Sequence, residues 1–208
     1  MRGRFITFEG GEGTGKSTQV RLLADRLRER VPDLVLTREP GGSPGAEQLR
    51  NLLLNGDADR WSPSCETLLM FAARRDHLER VIRPALERGA WVICDRFADS
   101  TRAYQGAGGG VDPDFIEALD RFVVAEDQPD LTLVFDLPVE LGLERAFGRD
   151  MFELRFEAKG QAFHHRLRTE FLRIAEAHPQ RCVRIDAAGD IDAVRERVWA
   201  AVAERLPS

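Results

Sequence analysis

The strongest chemical signal in the sequence is a glycine-rich segment near the start of the chain. Residues 10–17 read GGEGTGKS, which fits the pattern G-x-x-x-x-G-K-[ST], and an apolar run precedes them. In such a loop, backbone N–H groups and the positive end of the following helix converge on phosphate oxygens. The lysine reaches the β and γ phosphates, and the next hydroxyl ligates Mg²⁺. The sequence therefore predicts a magnesium–nucleotide site formed by Gly10, Gly11, Glu12, Gly13, Thr14, Gly15, Lys16, Ser17 and Thr18.

Two acidic residues at predicted strand ends could support the magnesium ion together with Ser17. Asp95 follows the apolar run WVIC, and Asp136 follows TLVF. We favour Asp95, because Arg96 comes directly after it and would place a cation beside a transferring phosphate. Asp136 stays open as the alternative.

The phosphate loop does not define a reaction, because such loops serve kinases, GTPases, motors and switches alike. The sequence contains no N-K-x-D string for guanine recognition. A chain of 208 residues is short for a helicase, and its net charge of −5 disfavours nucleic acid as a partner. Among the functions of such loops, the sequence therefore favours an ATP-dependent phosphotransferase that acts on a small molecule.

Such an enzyme needs a second pocket facing the loop, with cations for the acceptor's phosphate and an apolar wall for its base. Four segments supply candidate side chains. They are residues 37–42 (TREPGG), 70–74 (MFAAR), 95–97 (DRF) and 100–105 (STRAYQ).

Strands and helices must position these residues, and the sequence alternates short apolar runs with segments of helical period. This alternation predicts an α/β fold with a five-stranded parallel sheet and helices on both faces. The runs mostly end in acidic or turn residues, as buried strands do when their carboxyl ends open onto a site. The predicted strands are residues 5–9, 34–37, 91–95, 131–136 and 182–186.

The intervening segments predict helices, and Pro84 should kink or break the longest of them. Asp112 and Pro113 form a start signal for one helix, an N-cap followed by proline at the first helical position. The glycine-rich residues 106–110 predict a mobile loop. Without a linker or repeat, residues 1–208 should form one domain. The predicted helices are 17–30, 64–88, 113–125, 138–147, 163–178 and 191–206.

The cysteines and the hydropathy narrow the class of protein further. Cys65, Cys94 and Cys182 are widely spaced and lack a C-x-x-C pair, so the sequence predicts neither a disulfide framework nor a zinc site. No apolar run approaches the ~18 residues that a membrane span needs. We therefore expect a cytoplasmic protein without a membrane partner.

In their order along the chain, these motifs closely resemble the bacterial thymidylate kinases, which transfer the γ-phosphoryl group of ATP to dTMP. The shared features are an acidic phosphate loop with Glu12, TREPGG after the second strand, a D-R-F turn, the S-T-x-A-Y-Q segment and a lid with R-F-E. The resemblance implies a P-loop nucleoside monophosphate kinase fold with a short lid at about residues 145–160, ATP and Mg²⁺ as cofactors, and a homodimer.

The resemblance also implies roles for residues around the phosphate and sugar of dTMP. Arg38 and Arg96 would hold its phosphate, and Glu12 would help to place its sugar and phosphate. Tyr104 would pack under the sugar where a 2′-hydroxyl would sit, which favours deoxyribose.

A second group of residues would recognise thymine. Arg74 would bond to the edge of the base, and Thr101 and Gln105 would complete its recognition. Met70 stands where the family carries its stacking phenylalanine, four residues before the arginine. Either Met70 or the neighbouring Phe71 would therefore lie against the base.

Family members with an acidic phosphate loop often supply a transition-state arginine from the lid. Arg155, within the R-F-E match, is our first choice for this catalytic role beside Lys16 and Arg96, and Arg149 is the second. Lys159 is a third candidate.

Two alternative functions stay open. A P-loop kinase could act on another nucleoside monophosphate or on a deoxynucleoside. A non-catalytic regulator would bind ATP without releasing ADP in response to dTMP.

Overall fold

A parallel five-stranded sheet organises the molecule, as the sequence predicts. The computed structural model describes residues 2–55, 60–146 and 159–206. The strands pair in the order β2-β3-β1-β4-β5, and every pair is parallel. Their bounds are β1 Phe5–Gly10, β2 Leu34–Arg38, β3 Trp91–Asp95, β4 Leu131–Asp136 and β5 Cys182–Asp186.

Helices cover both faces of this sheet, which confirms the predicted layering. The described helices are α1 Lys16–Arg28, α2 Pro44–Leu54, α3 Pro63–His77, α4 Arg83–Glu87, α5 Ala98–Thr101, α6 Pro113–Val123, α7 Val139–Ala146, α8 Gln161–Ala177 and α9 Ile191–Arg205, with π-helical segments at Leu78–Ile82 and Arg102–Gly108.

The alternation of side chains along the strands divides the core between the two faces. On β1, Ile6 and Phe8 pack with α1 and α9, whereas Phe5 packs with α4 and α6. On β4, Val134 instead faces α8. Strands with apolar side chains on both faces are typical of a parallel sheet covered by helices.

The long helix predicted over residues 64–88 runs from α3 to α4 through the π-helical segment Leu78–Ile82. This wider turn ends directly before Arg83 and Pro84. Proline has no N–H group, and its ring would clash with the carbonyl four residues earlier in a regular helix. The predicted interruption near Pro84 therefore takes the form of a π-helical turn.

The prediction of a mobile loop at residues 106–110 was wrong for most of the segment. Arg102–Gly108 is a π-helix that packs against α8. A Cβ atom on Gly108 would lie 2.5 Å from Cε2 of Phe163. Glycine serves close packing here, and composition alone does not distinguish this use from a loop.

The sequence analysis also missed α2, although its start signal is present. Ser43 caps the helix by accepting a hydrogen bond from the Ala46 N–H, and Pro44 occupies the first helical turn. Serine followed by proline is a helix start of the kind that we identified at Asp112. Among the described residues, no helix is both long and apolar enough to cross a membrane.

Candidate active site

The predicted phosphate loop lies between β1 and α1, at the carboxyl edge of the sheet. Gly15 precedes α1 with a positive φ of 86°, which glycine adopts without steric cost. The loop is also packed closely from outside, since a Cβ on Gly13 would lie 1.8 Å from the carbonyl oxygen of Gly142 on α7. Lys16 is buried, and its Nζ donates to Gly11 O at 2.5 Å and to Thr14 Oγ1 at 3.1 Å. The lysine thus lies over the loop's backbone.

The two predicted magnesium ligands lie together. Ser17 Oγ on α1 donates to Asp95 Oδ2 at the end of β3 over 2.7 Å. The other carboxylate oxygen of Asp95, Oδ1, is buried and has no hydrogen-bond partner among the described residues. One carboxylate and one hydroxyl suit Mg²⁺, which retains waters and takes further oxygens from phosphates. The residues present therefore fit a magnesium ion.

Asp136, the alternative acid, has different neighbours. Its carboxylate accepts from Arg168 Nε at 2.7 Å and from Arg184 Nη2 at 2.6 Å. Burial would raise the pKa of Asp136, but the two arginines lower it below its ordinary value. Both of its oxygens are already bonded to cations, which favours Asp95 as the magnesium ligand.

Arg96 joins the phosphate loop to a second pocket. Its Nη1 donates to Gly10 O at 3.0 Å, and its Nη2 lies 3.1 Å from both oxygens of Glu12. Arg96 is buried and has a φ of 70°, a conformation that a non-glycine residue adopts at some cost in energy. The fold therefore holds this guanidinium at the boundary between the two sites.

Glu12 and Tyr104 complete the cluster around Arg96. The Tyr104 hydroxyl donates to Glu12 Oε1, and the Arg96 guanidinium lies 4.9 Å from the centre of the Tyr104 ring. Burial would raise the pKa of Glu12, but the charges of Arg96 and Lys16 lower it below its ordinary value. Burial raises the pKa of Tyr104 well above its ordinary value, so the phenol stays protonated.

The second pocket brings together most of the predicted acceptor residues. Its mixture of apolar walls with a few polar groups is typical of small-molecule sites. The lining residues are Glu39, Pro40, Met70, Arg74, Arg96, Phe97, Ser100, Thr101, Tyr104 and Gln105.

Arg74 is held rigidly in this pocket. Its Nε donates to Glu39 Oε2 at 2.8 Å, and its Nη2 donates to Phe97 O at 3.0 Å and Thr101 Oγ1 at 3.1 Å. Its Nη1 is buried and has no partner within the described part of the chain. One hydrogen-bond donor is therefore left on a fixed guanidinium.

Met70 and Phe71 occupy different environments. Met70 lines the pocket, whereas Phe71 is 2% exposed and packs in the core with Leu78 and Phe97. If Phe71 lay against the base, the arginine four residues after it would be Arg75, which is 40% exposed and bonded to Glu79. The geometry favours Met70 as the residue against the base.

The remaining predicted residues lie outside this cluster. Arg38 ends β2 beside Asp95, but its side chain is 55% exposed and pairs with Glu47. Arg149 and Arg155 lie outside the described residues. Lys159 is described, with its Nζ 5.3 Å from the centre of the Phe163 ring.

Three buried acids in and around the pocket, Glu9, Glu39 and Glu66, are not among the residues to which the sequence analysis gave a role. Glu9 accepts hydrogen bonds from the backbone N–H groups of Phe97 and Ser100 at 2.8 and 3.2 Å, and from Ser100 Oγ at 2.5 Å. Burial and the charge of Asp99 raise the pKa of Glu9 to about 7. Glu39 bonds to Arg74, and Glu66 bonds to Gln105. The sequence feature that could have pointed to these three residues is an acidic residue within an otherwise apolar or glycine-rich segment.

Comparisons with known proteins agree with this geometry. The family model described as thymidylate kinase matches residues 8–198. A thymidylate kinase of Caulobacter vibrioides is 60% identical over 99% of this chain and 98% of its own length, and one of Nitrobacter winogradskyi is 55% identical over 99% and 90%. The crystal structure of the Ehrlichia chaffeensis thymidylate kinase superposes with a TM-score of 0.77 at 36% identity, over 97% of this chain and 99% of that one. The resemblance noted from the sequence is confirmed: the chain belongs to the thymidylate kinase family.

Proposed function

We propose that the chain transfers the γ-phosphoryl group of ATP to the 5′-phosphate of dTMP, giving ADP and dTDP for dTTP synthesis. The observation that carries the proposal is the position of Arg96, which contacts the phosphate loop through Gly10 O and also lines the acceptor pocket. A cation shared by both sites suits the transfer of a phosphoryl group from one to the other.

The chain's residues contribute mainly positioning and positive charge. Lys16 would bind the β and γ phosphates of ATP, and Arg96 would hold the acceptor phosphate in line with them. Ser17 and Asp95 would hold Mg²⁺, which when bound neutralises charge on phosphate oxygens. No general base is needed, because the attacking phosphate oxygen is already anionic. We propose further cations from Arg155 and Arg149.

The acceptor pocket fits a deoxythymidine monophosphate. Met70 and Phe97 would provide the apolar wall for thymine, and Arg74 Nη1 would donate to its O4 atom. Tyr104, held by Glu12 beside Arg96, would occupy the space of a 2′-hydroxyl. Arg38, at the end of β2, would need to turn from Glu47 to reach the phosphate.

We also propose that the protein is a cytoplasmic homodimer. The three cysteines are free, which fits a reducing compartment. The neighbouring helices α2, α3 and α6 expose the large apolar side chains of Leu52, Leu68 and Phe122. A second copy of the chain would bury them.

A coupled assay of ADP release with a panel of nucleotides and nucleosides tests the reaction. dTMP should give the highest kcat/KM, and a higher value for another monophosphate or for a deoxynucleoside would contradict the proposal. ATP binding without dTMP-dependent ADP release would indicate a regulator instead.

Arg96→Ala tests the shared cation. Turnover with dTMP should fall by about a hundredfold or more, since an oriented cation at transferring phosphate is worth several kcal/mol, while ATP still binds. The matched control is Arg75→Ala, which removes a half-exposed guanidinium from the same region without touching the pocket. Near-wild-type turnover of Arg96→Ala would contradict the assignment.

A further inference from the structure

One face of α3 runs along the base end of the acceptor pocket. Glu66, Met70 and Arg74 follow one another at intervals of four residues, so they lie on the same face of the helix. Met70 and Arg74 line the pocket. Glu66 lies one turn earlier and is buried, with 6% of its surface exposed.

Glu66 is hydrogen-bonded to the amide of Gln105. Gln105 Nε2 donates to Glu66 Oε1 over 2.8 Å, and both side chains are buried. The Glu66 oxygen acts as acceptor in this bond, so it engages the NH₂ end of the amide. The carbonyl end, Oε1, has no donor among the described residues, and Gln105 lines the pocket.

The pocket therefore offers two fixed and opposite hydrogen-bonding groups to a base. Arg74 provides a donor through Nη1, and Gln105 provides an acceptor through Oε1. Thymine and uracil carry an acceptor at O4 beside a donor at N3–H. Cytosine carries the reverse pattern, a donor amino group at position 4 beside an acceptor at N3.

We propose that Glu66 is a specificity-determining positioning residue, which holds Gln105 so that an acceptor faces the base and the pocket takes N3–H pyrimidines while rejecting cytosine. The inference deepens the proposed function and rests on it. Glu66 acts through Gln105, and its effect belongs to the choice of substrate rather than to phosphoryl transfer.

Glu66→Gln is the direct test. Glutamine can either accept or donate at this position, so the Gln105 amide becomes free to take both orientations. The ratio of kcat/KM for dTMP to kcat/KM for dCMP should fall about tenfold, because one complementary hydrogen bond is no longer enforced. The KM for ATP should stay unchanged. A merely structural role would lower kcat/KM for both substrates equally, and an unchanged ratio would overturn the inference.

Two further variants keep the test decisive. Gln105→Met removes the amide and should lower kcat/KM for dTMP about tenfold with little change for dCMP, whether or not Glu66→Gln folds; equal losses for both substrates would overturn the inference. Cys65→Ser, next to Glu66 but outside the pocket lining, should leave the ratio unchanged. If the wild-type protein does not phosphorylate dTMP, this result contradicts both the proposed function and the inference that rests on it. If it does and the ratio does not move, only the role of Glu66 fails.

Discussion

At the scale of single residues, the acids beside the pocket are held in very different charge states. The charges of Arg96 and Lys16 hold the pKa of Glu12 below its ordinary value, whereas burial and the charge of Asp99 raise the pKa of Glu9 to about 7. The two carboxyl groups are only three positions apart in the sequence. The difference between their pKa values comes from the charged side chains that the fold places near each carboxyl group.

Replacing Glu9 with glutamine should change how stability depends on pH. The pKa of Glu9 is raised from 4.5 to about 7 in the fold, so between these values the folded state binds more protons than the unfolded state. The free energy of unfolding therefore loses a contribution as pH rises through this window, at most on the order of 3 kcal/mol. Glu9→Gln cannot ionise, and its amide can still accept from the backbone and donate to Ser100 Oγ.

Urea unfolding of both proteins from pH 4.5 to pH 8 would measure this difference. The variant should gain stability relative to the wild type as pH rises. Curves that remain parallel across the window would show that Glu9 does not carry the raised pKa.

The predicted residues that the structure brings together are mostly those that belong to motifs. The phosphate loop, Arg96, Arg74 and Tyr104 have characteristic neighbours, and all of them lie around the two sites. Glu9 and Glu66 were missed because their partners, Ser100 and Gln105, are distant in sequence. A hydrogen bond between two residues that are far apart in sequence produces no local sequence pattern from which the pair could be predicted.

At the scale of elements, the phosphate loop is packed directly against α7. A Cβ on Gly142 of α7 would lie 2.6 Å from the carbonyl oxygen of Glu12 in the loop. The contact is between two backbones, so neither partner can move aside as a flexible side chain could. The start of α7 and the loop therefore hold each other in place.

Gly142→Ala should consequently be harmful although alanine is the better helix former. Alanine would stabilise an unobstructed helix by about 1 kcal/mol relative to glycine. Here the added methyl group forces the loop and α7 apart, and we expect a net loss of about 1–3 kcal/mol with a raised KM for ATP. Thermal unfolding and ATP-dependent kinetics would measure both effects.

The control for this prediction is Glu144→Ala in the same helix, where the side chain is exposed. It should leave stability and the KM for ATP close to wild type. A stabilised Gly142→Ala protein with normal ATP kinetics would refute the close backbone contact.

Element prediction from the sequence succeeded for the five strands and for the interruption near Pro84, and it failed for α2 and for the glycine-rich residues 106–110. The five strands and the interruption near Pro84 were predicted because burial on both faces and the missing N–H of proline are local properties. The loop predicted at residues 106–110 was wrong for most of its length because Gly108 allows close packing against Phe163 on α8, a contact that exists only once the chain is folded.

At the scale of the whole molecule, the two candidate sites share the carboxyl edge of one sheet, and most of the exposed large apolar side chains in the described residues lie on helices. Phe122 on α6 is 78% exposed and Leu68 on α3 is 48% exposed. The periodicity of apolar residues predicts which helices form. It does not show whether the exposed face of a helix contacts a second copy of the chain or water.

Phe122→Asp should therefore shift the protein from dimer to monomer, because a charge would have to be buried in an apolar contact. Size-exclusion chromatography with light scattering gives the mass directly. Leu141→Asp is the matched control, since Leu141 is 43% exposed on α7, away from these helices, and should leave the mass unchanged. A wild-type monomer, or a Phe122→Asp dimer, would contradict the proposed interface.

The spacing of Glu66, Met70 and Arg74 also bears on how such an enzyme could change over evolution. Three residues that we propose to act in base recognition recur every fourth residue on one helix, whereas the proposed phosphate-binding groups are in the phosphate loop, at the start of α1 and at strand ends. Substitutions along a single helical stripe could therefore redirect the protein to another base while the machinery of transfer is inherited intact. Variants of this face of α3, tested together with Gln105, are therefore a starting point for laboratory selection of kinases for modified pyrimidine nucleotides.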